Sequence, residues 1–114
     1  MSATAKTVKM DLPQGTLDLL VLRVLSAGEM HGWGIAQRLN VLSREALQLQ
    51  EGTLYPALYR MEAKGWIASE WAPSDNNRRA KYYSLTKVGR KQLEAERASW
   101  DRLKTVITLV LQNA

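Results

Sequence analysis

The stretch from Thr16 to Ser26, TLDLLVLRVLS, constrains the fold more than any other part of the chain. Leu17, Leu19, Leu20, Val21, Leu22, Val24 and Leu25 are apolar at nearly every helical angle. A helix that is apolar all round has to be covered on more than one face. With 114 residues there is material for one domain. One face of this helix therefore belongs to a core, and another is expected against a partner chain. Thr16 is the expected N-cap, and Asp18 falls in the expected first turn, where a carboxylate suits the helix dipole. Hydrophobic residues make up 46% of the chain, enough apolar material to exclude wholesale disorder. The longest unbroken apolar run, Leu19 to Leu22, is far too short for a membrane span. Met1 to Gln14 contains no apolar signal segment, so a cytoplasmic location is expected. Cysteine is absent, which excludes disulfides, thiolate metal sites and cysteine nucleophiles.

Further elements follow from periodicity and punctuation. Residues 1–11 read as a polar, mobile tail. A second helix is expected from about His31 to Leu42, with Ile35, Ala36, Leu39 and Leu42 as its buried stripe. Leu47 to Gln50 alternates like a very short strand. The third helix is expected from about Gly52 to Lys64, stopped by Gly65, with Pro56 near its first turn. Ile67–Trp71 and Lys81–Leu85 read as two strands around a turn-rich tip, Ala72 to Asn77. Thr86 caps a long last helix that runs to about Val110. The expected fold is mainly α with a small β-hairpin, a winged helix-turn-helix over residues 12–85 followed by a dimerisation helix over 86–114. In such a plan a short helix enters the major groove and a basic hairpin reaches flanking backbone.

Charge is concentrated where that plan needs it. The chain carries +5 at pH 7. Arg78, Arg79, Lys81, Lys87, Arg90 and Lys91 lie between Ser74 and Lys91 with Asp75 as the only acid there, so this stretch holds the whole excess. A localised basic segment points to a polyanionic partner rather than to solubilisation alone. On the third helix, Leu54, Leu58 and Met61 share one arc and form the core face. Tyr55, Pro56, Tyr59, Arg60 and Ala63 occupy the opposite arc, with Glu62 at its edge. That face offers two hydroxyls and a guanidinium, and suits phosphate and base edges. Enzyme readings find little support. His31 is the only histidine and reads as a cap or packing residue, no nucleophile elbow or phosphate loop is present, and Glu94 and Glu96 are explained by ion pairing with Arg90, Lys91 or Arg97. No cofactor or metal is called for.

The strings Gly15-Thr16-Leu17-Asp18-Leu19-Leu20, His31-Gly32-Trp33-Gly34-Ile35, Gly52-Thr53-Leu54-Tyr55-Pro56-Ala57-Leu58, Gly65-Trp66-Ile67 and Tyr82-Tyr83-Ser84-Leu85-Thr86 with Gly89 resemble the PadR family of bacterial transcriptional regulators. The likeness runs from about Leu12 to Leu111, and the single last helix resembles the family's small subfamily. It implies a dimeric winged-helix repressor on an inverted-repeat operator in double-stranded DNA. It places DNA contacts on Tyr55 and its third-helix neighbours Thr53, Pro56, Tyr59 and Arg60, and on the wing residues Arg78, Arg79 and Lys81. Gln37 and Arg38, which point away from the buried stripe of the second helix, are further candidate DNA contacts. The tip Asp75-Asn76-Asn77 is less basic than the strand after it, which leaves open which wing residue touches DNA. In some small members a tryptophan matching Trp100 stacks on planar aromatic effectors at the dimer interface. Ordinary interface packing explains Trp100 equally well. Trp33, Trp66 and Trp71 are expected in the core or on the hairpin.

The last helix repeats that two-sided theme. Leu93, Trp100, Leu103, Ile107 and Val110 make a heptad-like seam interrupted by Glu96. One small domain cannot bury it, so the seam is expected to form a homodimer interface with Leu17 and Leu20 of the first helix. Two alternatives to an effector-released repressor stand beside it. One is a small-molecule-sensing module, and the other is an architectural nucleic-acid-binding winged helix without an effector.

Overall fold

The computed structural model describes residues 12–114, so the expected tail over residues 1–11 lies outside the described residues. In chain order the elements are α1 Gln14–Leu25, β1 Met30–His31, α2 Gly32–Leu42, α3 Glu51–Ala63, β2 Ile67–Pro73, β3 Arg79–Leu85 and α4 Lys87–Asn113. The chain is mainly helical with a small three-stranded antiparallel sheet, in the order β1-β3-β2. Helix α1 is the centre of the core. Val21 and Leu22 have no exposed surface, and Ile35, Leu54, Leu58, Met61, Ile67 and Tyr83 complete the cluster around them.

Helix α1 begins three residues earlier than the sequence suggests. Pro13 holds the cap position with an extended ψ of 150°, and its carbonyl accepts the Leu17 N–H at 3.0 Å. Thr16 is therefore inside the helix, and Asp18 lies beyond the first turn. The Asp18 side chain is buried and forms an ion pair with Arg60 of α3. Burial pushes its carboxyl up from the ordinary 3.8, while the Arg60 guanidinium and, more weakly, Lys64 pull it back.

Helix α2 keeps its expected bounds, while the segment before it and the turn after it differ from expectation. His31 is the N-cap of α2, its Nδ1 accepting the Gly34 N–H at 2.9 Å. Met30 and His31 pair with Tyr83 and Tyr82, which adds a strand to the expected hairpin. A two-residue strand is too short to leave a periodic signature. Leu42 is 57% exposed and does not belong to the buried stripe. The expected strand over Leu47–Gln50 is a loop. Leu47 points into the core, its N–H donates to Ser43 Oγ and its carbonyl accepts from Asn40 Nδ2, so no ladder partner is needed.

Helix α3 closes on a Schellman turn. Gly65 has φ +78°, its N–H donates to the Glu62 carbonyl, and Trp66 N–H reaches back to Met61 O at 3.1 Å. Pro56 is the sixth residue of this helix rather than part of its first turn. It cannot donate to the Gly52 carbonyl, and Gly52 is exposed, so water can take that acceptor. The hairpin runs in register from Ile67↔Leu85 to Pro73↔Arg79. Its tip is held by Ser74 N–H donating to Arg78 O at 2.6 Å, with Asn77 at φ +66°. Thr86 then caps α4 by accepting the Gly89 N–H at 3.0 Å and donating to Gly65 O at 2.6 Å.

Two substitutions test this packing. A Cβ on Gly89 would sit 2.0 Å from the Trp66 carbonyl oxygen, a backbone atom. Gly89→Ala is expected to destabilise the fold by about 2–3 kcal/mol, read as a shifted urea midpoint. Asp18→Ala leaves Arg60 without its counter-ion and is expected to cost about 2 kcal/mol, less than a fully buried pair because Arg60 is partly exposed. Asp18→Leu combined with Arg60→Met should recover most of that loss, and unfolding curves of the single and double variants measure the coupling.

Candidate nucleic-acid interface

The outer face of α3 is set by what its inner face must bury. Leu54, Ala57, Leu58 and Met61 point into the core. At helical spacing this leaves Thr53, Tyr55, Pro56 and Tyr59 outward, and all four are exposed. Tyr59 is 77% exposed and free to reach a partner. Tyr55 is more constrained. Its ring lies over Gly32 at the start of α2, where a Cβ would come within 2.6 Å of it. Partial burial, with Glu51 nearby, raises the Tyr55 phenol above its usual 10, so its hydroxyl is a donor throughout the neutral range. Gln37 and Arg38 are exposed on the adjoining α2.

Arg60 stands apart from this group. Its expected place on the exposed arc is corrected by the structure, because the guanidinium turns toward Asp18 and is occupied there. The wing residues divide in the same way. Lys81 is half-buried, with Nζ 3.7 Å from Glu62 Oε1, and Ser69 Oγ donates to the other oxygen of that carboxylate at 2.6 Å. Arg78 and Arg79 are exposed and make no ion pair among the described residues. The Arg79 guanidinium lies 5.9 Å from the ring centroid of Trp71. The interface thus has two free guanidinium groups on the wing and one lysine already neutralised in part by α3.

Of the tryptophans, Trp33 differs from expectation, since it is 62% exposed at the start of α2 and belongs to neither core nor hairpin. Trp66 is half-buried, and Trp71 is exposed on the hairpin strand β2. Sequence reasoning also missed the Asp18–Arg60 pair and the role of Gly32 as the seat of Tyr55. Nothing local marks either one, since each joins residues far apart in the chain.

The expected dimer residues fall into two groups. Leu17 is 4% and Leu93 9% exposed, so both are spent mainly inside the chain, which corrects their expected place on an open face, and the surface that Leu93 keeps lies on a groove. Beyond Leu93, α4 leaves the body. Trp100, Leu103, Ile107 and Val110 are all exposed, as are Val106, Leu109 and Leu111. Between α1, the turn after α2 and α4 lies an apolar groove of about 490 Å³, lined by Leu12, Leu19, Leu20, Leu47, Leu93 and Trp100 with Arg97 and Asp101 at its edge. No group of three or more metal-ligating side chains occurs among the described residues. No described helix is long and apolar enough to cross a membrane.

Comparison with known proteins agrees with this geometry. Residues 21–95 match the Transcriptional regulator PadR-like family. The chain is 32% identical over 93 residues to the transcriptional regulator Rv3488 of Mycobacterium tuberculosis, covering 82% of this chain and 83% of that one. It is similar in structure to a PadR-like transcriptional regulator from Bacillus cereus, with 30% identity and a TM-score of 0.75 over 89% of this chain and 96% of that one. A PadR family transcription regulator from Clostridium difficile is 36% identical with a TM-score of 0.72, over 83% of this chain and 97% of the other. Three helices followed by a hairpin wing and a long last helix are shared with these winged-helix proteins. The chain therefore belongs to the PadR-like family, whose members are DNA-binding transcriptional regulators and not enzymes.

Proposed function

We propose that the protein is a cytoplasmic, homodimeric repressor that reads an inverted-repeat operator and is released by a planar aromatic effector. The observation that carries this reading is the α3 face. Thr53, Tyr55, Pro56 and Tyr59 are exposed beside the unpaired Arg78 and Arg79 of the wing. Tyrosine and threonine hydroxyls can donate to phosphate and base edges, while guanidinium groups neutralise the flanking backbone. Gln37 and Arg38 extend the same face along α2. Lys81 contributes field rather than direct contact while Glu62 holds it.

Residues 12–85 form the DNA-binding unit in this reading, and residues 86–114 the dimerisation helix. Helix α4 has 27 residues, about 40 Å at 1.5 Å per residue. Most of that length carries exposed apolar side chains, which water disfavours and a second copy of the helix would cover. Leu20, Trp100, Leu103, Ile107 and Val110 form the expected contact, and two-fold pairing presents two reading helices to half-sites about 10 bp apart or a multiple of it. The apolar groove beside Trp100 falls within the ~300–1,000 Å³ range of small-molecule sites, and an indole face suits a flat aromatic guest. A guest there changes DNA affinity only by binding the two dimer arrangements unequally.

Selection of bound fragments from genomic DNA, followed by affinity measurement over a salt series, tests the regulator reading. Palindromic sites should bind about 10³-fold or more tighter than random duplex, with a steep negative slope of log K on log salt. Equal affinity for both duplexes would favour an architectural role, and a monomeric mass in solution would remove the two-fold arrangement. Trp100→Ala is expected to abolish binding of a planar dye while operator affinity is retained. Dye affinity that survives the substitution assigns Trp100 to interface packing.

A further inference from the structure

Like Trp100, Trp33 and Trp71 are exposed, and they line a cleft that shares no residue with the groove beside Trp100. Strand alternation and the reach of the sheet explain the exposure of Trp71. On β2, Ile67, Ser69 and Trp71 share one sheet face, and their β3 partners are Leu85, Tyr83 and Lys81. Ile67 is buried in the core, and Ser69 bonds Glu62 at the edge of α3. By Trp71 the helix layer has ended, so the inward face of the sheet opens into a cleft. The cleft has a volume of about 640 Å³ and runs between Trp71 and Arg79 on the wing and Trp33 and Tyr55 on the helical side. Arg78, Arg79 and Lys81 line it against the single carboxylate of Asp75.

This cleft does not end at α2. A second one, of about 540 Å³, shares Gly32, Trp33 and Tyr55 with the first and continues to Gln37 and the α2–α3 turn. Together they make a furrow from the wing across the start of α2. A long furrow suits an extended chain better than a compact molecule. The far end of the furrow is mixed, with Gln37, Asn40, Gln48 and Glu51 beside Val41 and Leu49, while indole faces flank its cationic wing end. A sugar–phosphate strand alternates those same two properties, an apolar deoxyribose ring and an anionic phosphate.

We propose that this furrow holds one backbone strand of the duplex, with the Trp33 and Trp71 indoles packed on deoxyribose and Arg79 on a phosphate. The assignment rests on the DNA-binding reading and adds two residues to it that supply apolar rather than ionic contact. Trp71 also supports the Arg79 guanidinium stacked over it, which limits the conformations that Arg79 must give up on binding. Tyr55 lines both clefts and so links the strand in the furrow to the reading face of α3.

Salt dependence separates the two kinds of contact. Operator affinity is measured by fluorescence polarisation over a salt series for the wild-type dimer and for Trp33→Ala, Trp71→Ala and Arg79→Ala. Each tryptophan variant is expected to bind about tenfold more weakly with an unchanged slope. Arg79→Ala should lose affinity and flatten the slope by about 0.9. Trp33→Phe and Trp71→Phe should keep most of the affinity that the alanine variants lose. Wild-type affinity in both alanine variants, or a slope that flattens with them, overturns the assignment. A second measurement does not depend on the alanine variants folding. In a Trp66→Phe, Trp100→Phe protein the remaining indoles are those of Trp33 and Trp71, and operator should shield them from acrylamide quenching. Unaltered quenching in the complex counts against the proposal. Absence of operator preference in the wild type removes the regulator reading itself, whereas wild-type operator binding with indifferent tryptophan variants removes this inference alone.

Discussion

Everything in the protomer is arranged around the need to cover one helix. Helix α1 has too many apolar residues for a single buried stripe, and the other elements satisfy it from several sides. Helices α2 and α3, strand β3 and the first half of α4 all pack against it. Hydrophobic burial is non-directional, so it sets which surfaces must meet but not how they are turned. Direction comes from the one buried charge among the described residues. Asp18 can be buried in α1 only with a cation beside it, and Arg60 of α3 is that cation. The pair ties the central helix to the helix whose opposite face carries the exposed tyrosines. Displacing α1 relative to α3 would separate a buried carboxylate from its partner, so the two helices are held together more firmly than apolar contact alone would hold them.

A second constraint acts on charge at the surface. The net positive charge is gathered between Ser74 and Lys91, yet the folded chain does not present these cations equally. Glu62 on α3 takes Lys81, and Arg78 and Arg79 on the wing remain unpaired among the described residues. Lys81 lies beside Glu62 of α3, and the free guanidinium groups lie further out toward the tip. The exposed indoles of Trp33 and Trp71 occupy the ground between them. Such a surface combines field with apolar contact, as nucleic-acid interfaces do.

Much of the architecture was legible in local patterns. The apolar faces of α1 and α3, Gly65 as the stop of α3, the hairpin and the Thr86 cap each depend on residues within a few positions of one another. Capping, turn chemistry and helical periodicity are local effects, so local reasoning reaches them. The errors share a different cause. Arg60 was placed on the outward arc by angle alone, but a long side chain can swing back to a buried carboxylate 42 positions away. Leu17 and Leu93 read as a surface for a partner, yet they meet neighbours of their own chain. Trp33 reads as core or hairpin because large aromatics usually pack there, but it starts a helix at the surface.

By itself the amino-acid sequence determined the class of fold, the position of the helix with the exposed tyrosine face, the basic hairpin and the apolar last helix. Each of these is written in spacing, and spacing survives without knowledge of the rest of the chain. Only the tertiary structure decided which arginine is free and which is spent, which leucines are already buried, and that two tryptophans border a furrow. Those outcomes depend on pairs of groups brought together across the fold. The energy of a buried charge or an exposed ring depends on what stands beside it, and no stretch of sequence carries that information alone.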